Sequence, residues 1–170
     1  GVCLTLLLLI GLLGPVVGCR VRPTFKIGLV APFEGRYRYV GYDVFYAVRL
    51  AIHEVNAQGG MGGYAVELVA YDDGADPDMA PIQARKLAVD PAVMVALGHF
   101  REVSTAAALA AYAEAGMPLV AVGNLDPGLT QGAGAVYRFG PTADRLAVEI
   151  LHRLVETQQV TEVPPIEGDR

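Results

Sequence analysis

Residues 25–71 read FKIGLVAPFEGRYRYVGYDVFYAVRLAIHEVNAQGGMGGYAVELVAY, and the patterning of this stretch decides the fold. Phe25–Ala31 is a short apolar run stopped by Pro32, the pattern of a buried strand. Glu34–Gly41 is polar and bears glycine, and reads as a loop. From Tyr42 to Gln58 the spacing becomes helical, with Val44, Ala47, Val48, Ala51 and Val55 on one face. Gly59-Gly60 ends the helix, since glycine takes a left-handed cap at no steric cost. Tyr64–Tyr71 is a second strand, so the stretch is one βαβ unit.

The same alternation continues downstream. Asp72–Asp78 turns the chain, and Asp76-Pro77 reads as an N-cap followed by proline at the first helical position. The helix that follows runs to Ala88, and Pro81 within it implies a late start or a bend. Val93–Leu97 is a third strand, Gly98–Val103 a loop, and Ser104–Ala115 an alanine-rich helix closed by Gly116. Pro118–Val122 and Val136–Phe139 supply two more strands, and Ala143–Thr157 a last helix. Strands alternating with helices predict an α/β fold: a doubly wound, mostly parallel sheet with helices on both faces.

Upstream the composition changes. Val2–Val17 holds no charged residue and is mostly aliphatic, so the net charge of −5 belongs to the part after Cys19. An apolar block followed by small residues is the pattern of a secretory signal, and this block is short for a membrane span. The string Val16-Val17-Gly18-Cys19 resembles a bacterial lipobox, in which the cysteine thiol receives a lipid and becomes the new N-terminus. The expected organisation is a signal peptide over 1–18, a lipidated tether over 19–24 and an ordered domain over 25–158. The absence of a methionine and a basic segment at the start reads as a shortened N-terminus. Residues 159–170 are polar, contain Pro164-Pro165, and read as a loop ending where another strand is expected. With Cys3 removed and Cys19 modified, the mature domain has no disulfide. It is mildly acidic without a basic stripe, which argues against nucleic-acid binding.

In an open α/β sheet, ligands bind beyond the carboxyl ends of the strands, close to helix N-termini. Here that points to Pro32–Gly41, Asp72–Asp78, Gly98–Val103 and Gly123–Asp126. Ser104 and Thr105 either cap their helix or offer hydroxyls to a ligand. Enzyme signatures are missing: no G-x-G-x-x-G follows Val30, and neither G-x-S-x-G nor G-x-x-x-x-G-K-[ST] occurs. His53, His99 and His152 are scattered singly, without metal-ligand spacing, and His53 and His152 fall at surface positions of helices. Asp72, Asp73, Asp76 and Asp78 lack the order of a calcium loop and read as a turn with a cap. No metal or cofactor is expected. Tyr42, Phe45 and Tyr46 either line a pocket or pack.

IGLVAPFEG, then NAQGG over Asn56–Gly60, ELVAYDDGADP over Glu67–Pro77, and ALGHF over Ala96–Phe100 before Ser104-Thr105 resemble the branched-chain amino-acid-binding proteins. These are type I periplasmic binding proteins that serve ABC importers. The resemblance runs from about Phe25 to about Val155. It implies the N-terminal lobe of a two-lobed, non-enzymatic receptor that closes on a small solute, with a permease and an ATPase as partners and a lipid tether to the outer face of the membrane. The second lobe would follow residue 170. Ligand contacts carried over from the family fall on Phe100, Arg101, Glu102, Ser104, Thr105, Gly123, Asn124 and Leu125. The pattern departs at three places. Glu102 stands where a serine meets the ligand carboxylate, Leu125 where a threonine is usual, and Ala75 and Arg101 where a disulfide joins two loops. A cationic or amide-bearing solute suits Glu102, unless that side chain points to solvent. A ligand-sensing receptor of the same fold is the alternative to an importer subunit.

Overall fold

The computed structural model describes residues 22–130 and 134–158. The apolar block, Cys19 and residues 159–170 lie outside the described residues. Strands β1 (Thr24–Ala31), β2 (Ala65–Asp72), β3 (Val93–Gly98), β4 (Leu119–Val122) and β5 (Val136–Phe139) form one sheet in the order β2-β1-β3-β4-β5. Every neighbouring pair is parallel. The order reverses direction at β1, so the loops leaving β1 and β3 flank the switch point where such sheets open a crevice.

Helices α1 (Arg38–Ala57), α2 (Ala80–Ala88), α3 (Glu102–Glu114) and α4 (Ala143–Gln158) connect or follow the strands. Alternation along β1 sends Val30 to one face, where it joins Ala84 and Leu87 of α2 and Ala108, Ala111 and Tyr112 of α3 in a single buried cluster. Small residues let these helices lie close to the sheet. Gly28 is on that face too, and a Cβ there would run into the Leu87 side chain. On the opposite face α1 covers β1 and β2. Asn56, at the end of α1, fastens it to the sheet: its amide donates to the Val66 carbonyl at 2.8 Å and accepts from the Val66 N–H at 2.9 Å. That is the physical use of the asparagine in the NAQGG string.

The doubly wound reading holds, while three details of the elements differ. Helix α1 begins at Arg38 after a 3-10 turn over Gly35–Tyr37, and does not wait for Tyr42. Its inward face is Val44, Phe45, Val48, Ile52 and Val55, whereas Ala47 and Ala51 are exposed. Its outer side mixes charged residues with the exposed Tyr39, Tyr42, Tyr46 and Leu50, so spacing alone could not fix its phase. Helix α2 starts late, at Ala80, and Pro81 falls in the first turn where no N–H is required. The Asp76 carboxylate instead accepts from the Asp78 N–H at 2.8 Å and shapes the turn before the helix. Helix α4 is amphipathic, but its Val148, Ile150, Leu151, Leu154 and Val155 are exposed. No described helix is long and apolar enough to cross a membrane.

Candidate functional site

Parallel strands deliver their outgoing loops to one end of the sheet, and side chains of this protein tie those loops together. Asp72, the last residue of β2, accepts from the N–H of Phe33 at 2.7 Å and of Gly74 at 2.9 Å. This joins the β1 loop to the β2 loop. Asp73 is buried, with one oxygen 2.7 Å from His99 Nδ1 and the other accepting from the Ala75 N–H. The opposite nitrogen of His99 lies 3.1 Å from the Tyr112 hydroxyl. Burial first, and then the Asp73 charge, push the Tyr112 phenol well above its ordinary range, so it keeps its proton and can donate to His99 Nε2. The β2 loop, the β3 loop and α3 are thereby locked through one buried imidazole.

The β3 and β4 loops are joined twice. Asn124 donates to the carbonyls of His99 at 3.2 Å and Val122 at 2.9 Å. Glu102 Oε1 accepts from the N–H of Leu125 at 2.8 Å and of Asp126 at 3.0 Å. The chain can leave β3 toward this knot because Gly98 sits at φ +140°, where a Cβ would meet the Val30 carbonyl.

Two hollows open at this rim. One, of about 410 Å³, is lined by Phe100, Arg101, Glu102, Val103, Gly123 and Leu125. The other, of about 190 Å³, is lined by Pro32, Tyr37, Tyr39 and Val40 and shares Phe100 and Arg101 with the first. The Arg101 guanidinium lies 4.3 Å from the centre of the Tyr37 ring, and that of Arg36 lies 5.6 Å from the same ring. A further hollow of about 430 Å³ sits beside Thr24, Phe25 and Met94, at the amino ends of the strands and away from the helix N-termini.

Of the residues expected at the site, Phe100, Arg101, Glu102, Gly123 and Leu125 line the rim, while Ser104, Thr105 and Asn124 are buried beneath it. Neither Ser104 nor Thr105 caps α3, whose N-cap is Arg101. The Thr105 hydroxyl points to the carbonyls of His99 at 2.8 Å and Arg101 at 2.9 Å. Ser104 Oγ and Asn124 Oδ1 are buried and have no hydrogen bond within the described residues. Glu102 is exposed at the rim but not unengaged, because one carboxylate oxygen clasps the β4 loop. Tyr42 and Phe45 pack edge-to-face on Phe33, which is the packing alternative for those aromatics. Among the described residues no group of three or more His, Cys, Asp or Glu side chains is placed to hold a metal.

A family model described as "Periplasmic binding protein" matches residues 24–166, most of the chain. The chain belongs to this family. Its resemblance is to the branched-chain amino-acid branch of the type I periplasmic binding proteins. The leucine-specific-binding protein of Salmonella typhimurium is 32% identical over 132 residues, which is 73% of this chain and 36% of that protein. The Leu/Ile/Val-binding protein homolog 2 of Brucella abortus is 34% identical over 105 residues, or 62% of this chain and 28% of that one. Among solved structures, an ABC transporter substrate-binding protein from Desulfitobacterium hafniense in complex with leucine superposes with a TM-score of 0.68 at 26% identity. It covers 78% of this chain and 39% of that chain. The branched-chain amino acid transporter substrate binding protein of Streptococcus pneumoniae, in complex with isoleucine, gives 0.66 at 28% identity and covers 70% and 34%. These relatives are named as binding proteins, not enzymes. This periplasmic binding protein chain spans little more than a third of such relatives, 36% of the Salmonella protein.

Proposed function

We propose that the chain is the N-terminal lobe of the solute-binding component of an ABC importer, which takes an amino acid or a related small polar solute between two lobes. The observation that supports this reading is the rim itself. Loops from four strands are cross-tied by Asp72, Asp73, His99, Glu102 and Asn124, so the open groove beside Phe100 and Arg101 is held ready before any solute arrives. A rigid half-site of this kind suits capture without chemical change. A second lobe closes the groove from the other side, and the closed pair presents the solute to a permease driven by its ATPase. The protein is held on the outer face of the membrane by a lipid on Cys19.

The test is a thermal-shift screen of amino acids, amides and polyamines on the chain continued through its second lobe. Stabilisation by at least one class is expected, since a ligand that binds only the folded state raises the melting temperature. Failure of every class to shift the melt would remove the reading. For the anchor, Cys19→Ser should move the protein from the membrane fraction to the soluble fraction, and an unchanged distribution would refute lipidation.

A further inference from the structure

We propose that Arg101 determines specificity by pairing with an acidic group of the solute, because Glu102 has already taken backbone donors that would otherwise receive an anion. The proposal rests on the solute-binding reading above. At this end of a parallel sheet the natural anion receptors are backbone N–H groups of the loops and helix N-termini. In this chain the N–H groups of Leu125 and Asp126 both donate to one oxygen of Glu102, at 2.8 and 3.0 Å. A solute carboxylate approaching them meets a like charge on the first residue of α3. The β4 side of the groove is therefore closed to acids by the protein's own acid.

The opposite side is built the other way. The guanidinium groups of Arg101 and Arg36 lie 4.3 and 5.6 Å from the centre of the same Tyr37 ring, and neither is in an ion pair among the described residues. Both are cations drawn to one ring, and an incoming anion at Arg101 is attracted by their combined charge. Arg101 lines both rim hollows, so a group bound there is reached from either. Held over the Tyr37 ring and outside any ion pair among the described residues, the guanidinium can turn its planar N–H fork to a carboxylate. Tyr39 and Phe100 line the hollow beside it and supply apolar surface for the body of the solute. The solute class this favours is a small carboxylic acid with an apolar or aromatic body, amino acids included, seated by its acid on the β1 side of the groove.

The experiment is isothermal titration of the two-lobed protein with matched pairs: L-leucine against L-leucinamide, and phenylacetate against phenylacetamide. Wild type is expected to bind at least one acid about tenfold or more tightly than its amide, the range of a charge-assisted hydrogen-bonded pair. Arg101→Gln should level that ratio, and Arg101→Lys should keep part of it, with circular-dichroism melts confirming that both variants fold. Amides equal to or better than acids, or an acid preference that survives Arg101→Gln, would overturn the proposal while leaving solute capture intact. Binding of none of the four probes by a protein that the wider screen shows to bind another class would overturn it as well. Silence of every compound in both experiments strikes the solute-binding reading itself.

Discussion

His99 is held at both ring nitrogens inside the protein, by Asp73 at 2.7 Å and by Tyr112 at 3.1 Å, and all three residues are essentially inaccessible to water. Truncating one member of such a set strands the others in a medium that cannot solvate them. His99→Ala should therefore lower the unfolding free energy by about 3–5 kcal/mol, the usual result of removing one partner of a buried pair. Asp73→Asn, which keeps shape and loses only charge, should cost about 1–3 kcal/mol. Urea denaturation measures both, and a His99→Ala loss below about 1 kcal/mol would mean that the imidazole is incidental packing. Sequence marks the loops that carry these residues, because strand ends and helix starts are legible from local pattern. It does not mark the pairings. Asp73 and His99 are 26 positions apart, and Glu102 and Leu125 are 23 apart. Only the parallel register of the sheet brings each pair within hydrogen-bond reach. Read alone, His99 is a solitary histidine and Glu102 an intrusive carboxylate. With the register in hand, they are a lock and a clasp.

At the scale of elements, α1 offers a direct check on which side faces the sheet. Ile52 is half-buried over β2, and Ala51 is exposed beside it. Ile52→Ala should cost about 1–2 kcal/mol, below the full-burial range, while Ala51→Ser should stay within about 0.5 kcal/mol. The reverse order would put the face back where spacing first suggested. The turn between α2 and β3 makes a second check, through pH. Asp90 bonds Lys26 of β1 at 2.7 Å, and its other oxygen accepts from the Ala92 N–H at 2.9 Å. The bond from Lys26, and then that from Ala92, hold the Asp90 carboxyl below its ordinary 3.8, while Asp90 raises the Lys26 ammonium above 10.5. A depressed carboxyl contributes stability above its unfolded value and loses it as pH falls through the folded one. A raised ammonium contributes below its unfolded value and loses it as pH rises through the folded one. Asp90→Asn should thus lower the melting temperature between those limits, and the gap to wild type should narrow on either side. A gap that stays constant from acid to alkali would show that the pair contributes nothing through its charges. Strand and helix existence was readable throughout, because period and punctuation agree. The phase of α1 was not, since tyrosines and leucine on its outer side blur a pattern that only packing resolves.

Across the whole molecule the two ends and the two faces of the sheet are unequally finished. The rim is tied, and the α2–α3 face is sealed by a buried cluster. On the other face, the described residues place α1 over β1 and β2. Farther along it, Val120 pairs in register with Tyr137 and Val122 with Phe139, so these side chains share a face. Tyr137 is 63% exposed and Phe139 76%. Helix α4 adds Val148 at 64% and Leu154 at 50%. Single exposed apolar residues are ordinary, but a row of them on a strand together with a bare helix face is a surface that seeks cover. Residues 22–158 produced alone should therefore associate with rising concentration, visible as a shift to larger species in sedimentation velocity. Phe139→Lys combined with Leu154→Lys should suppress the association without lowering the thermal midpoint, because neither side chain supports the buried cluster. A chain continued into the second lobe proposed above should remain monomeric without these changes. If residues 22–158 sediment as a monomer throughout the micromolar range, these apolar faces are self-sufficient and the need for a covering segment disappears. If the charged variant unfolds early instead, the same side chains belong to the core of this lobe, and the uncovered half of the α1 face is narrower than the exposures indicate.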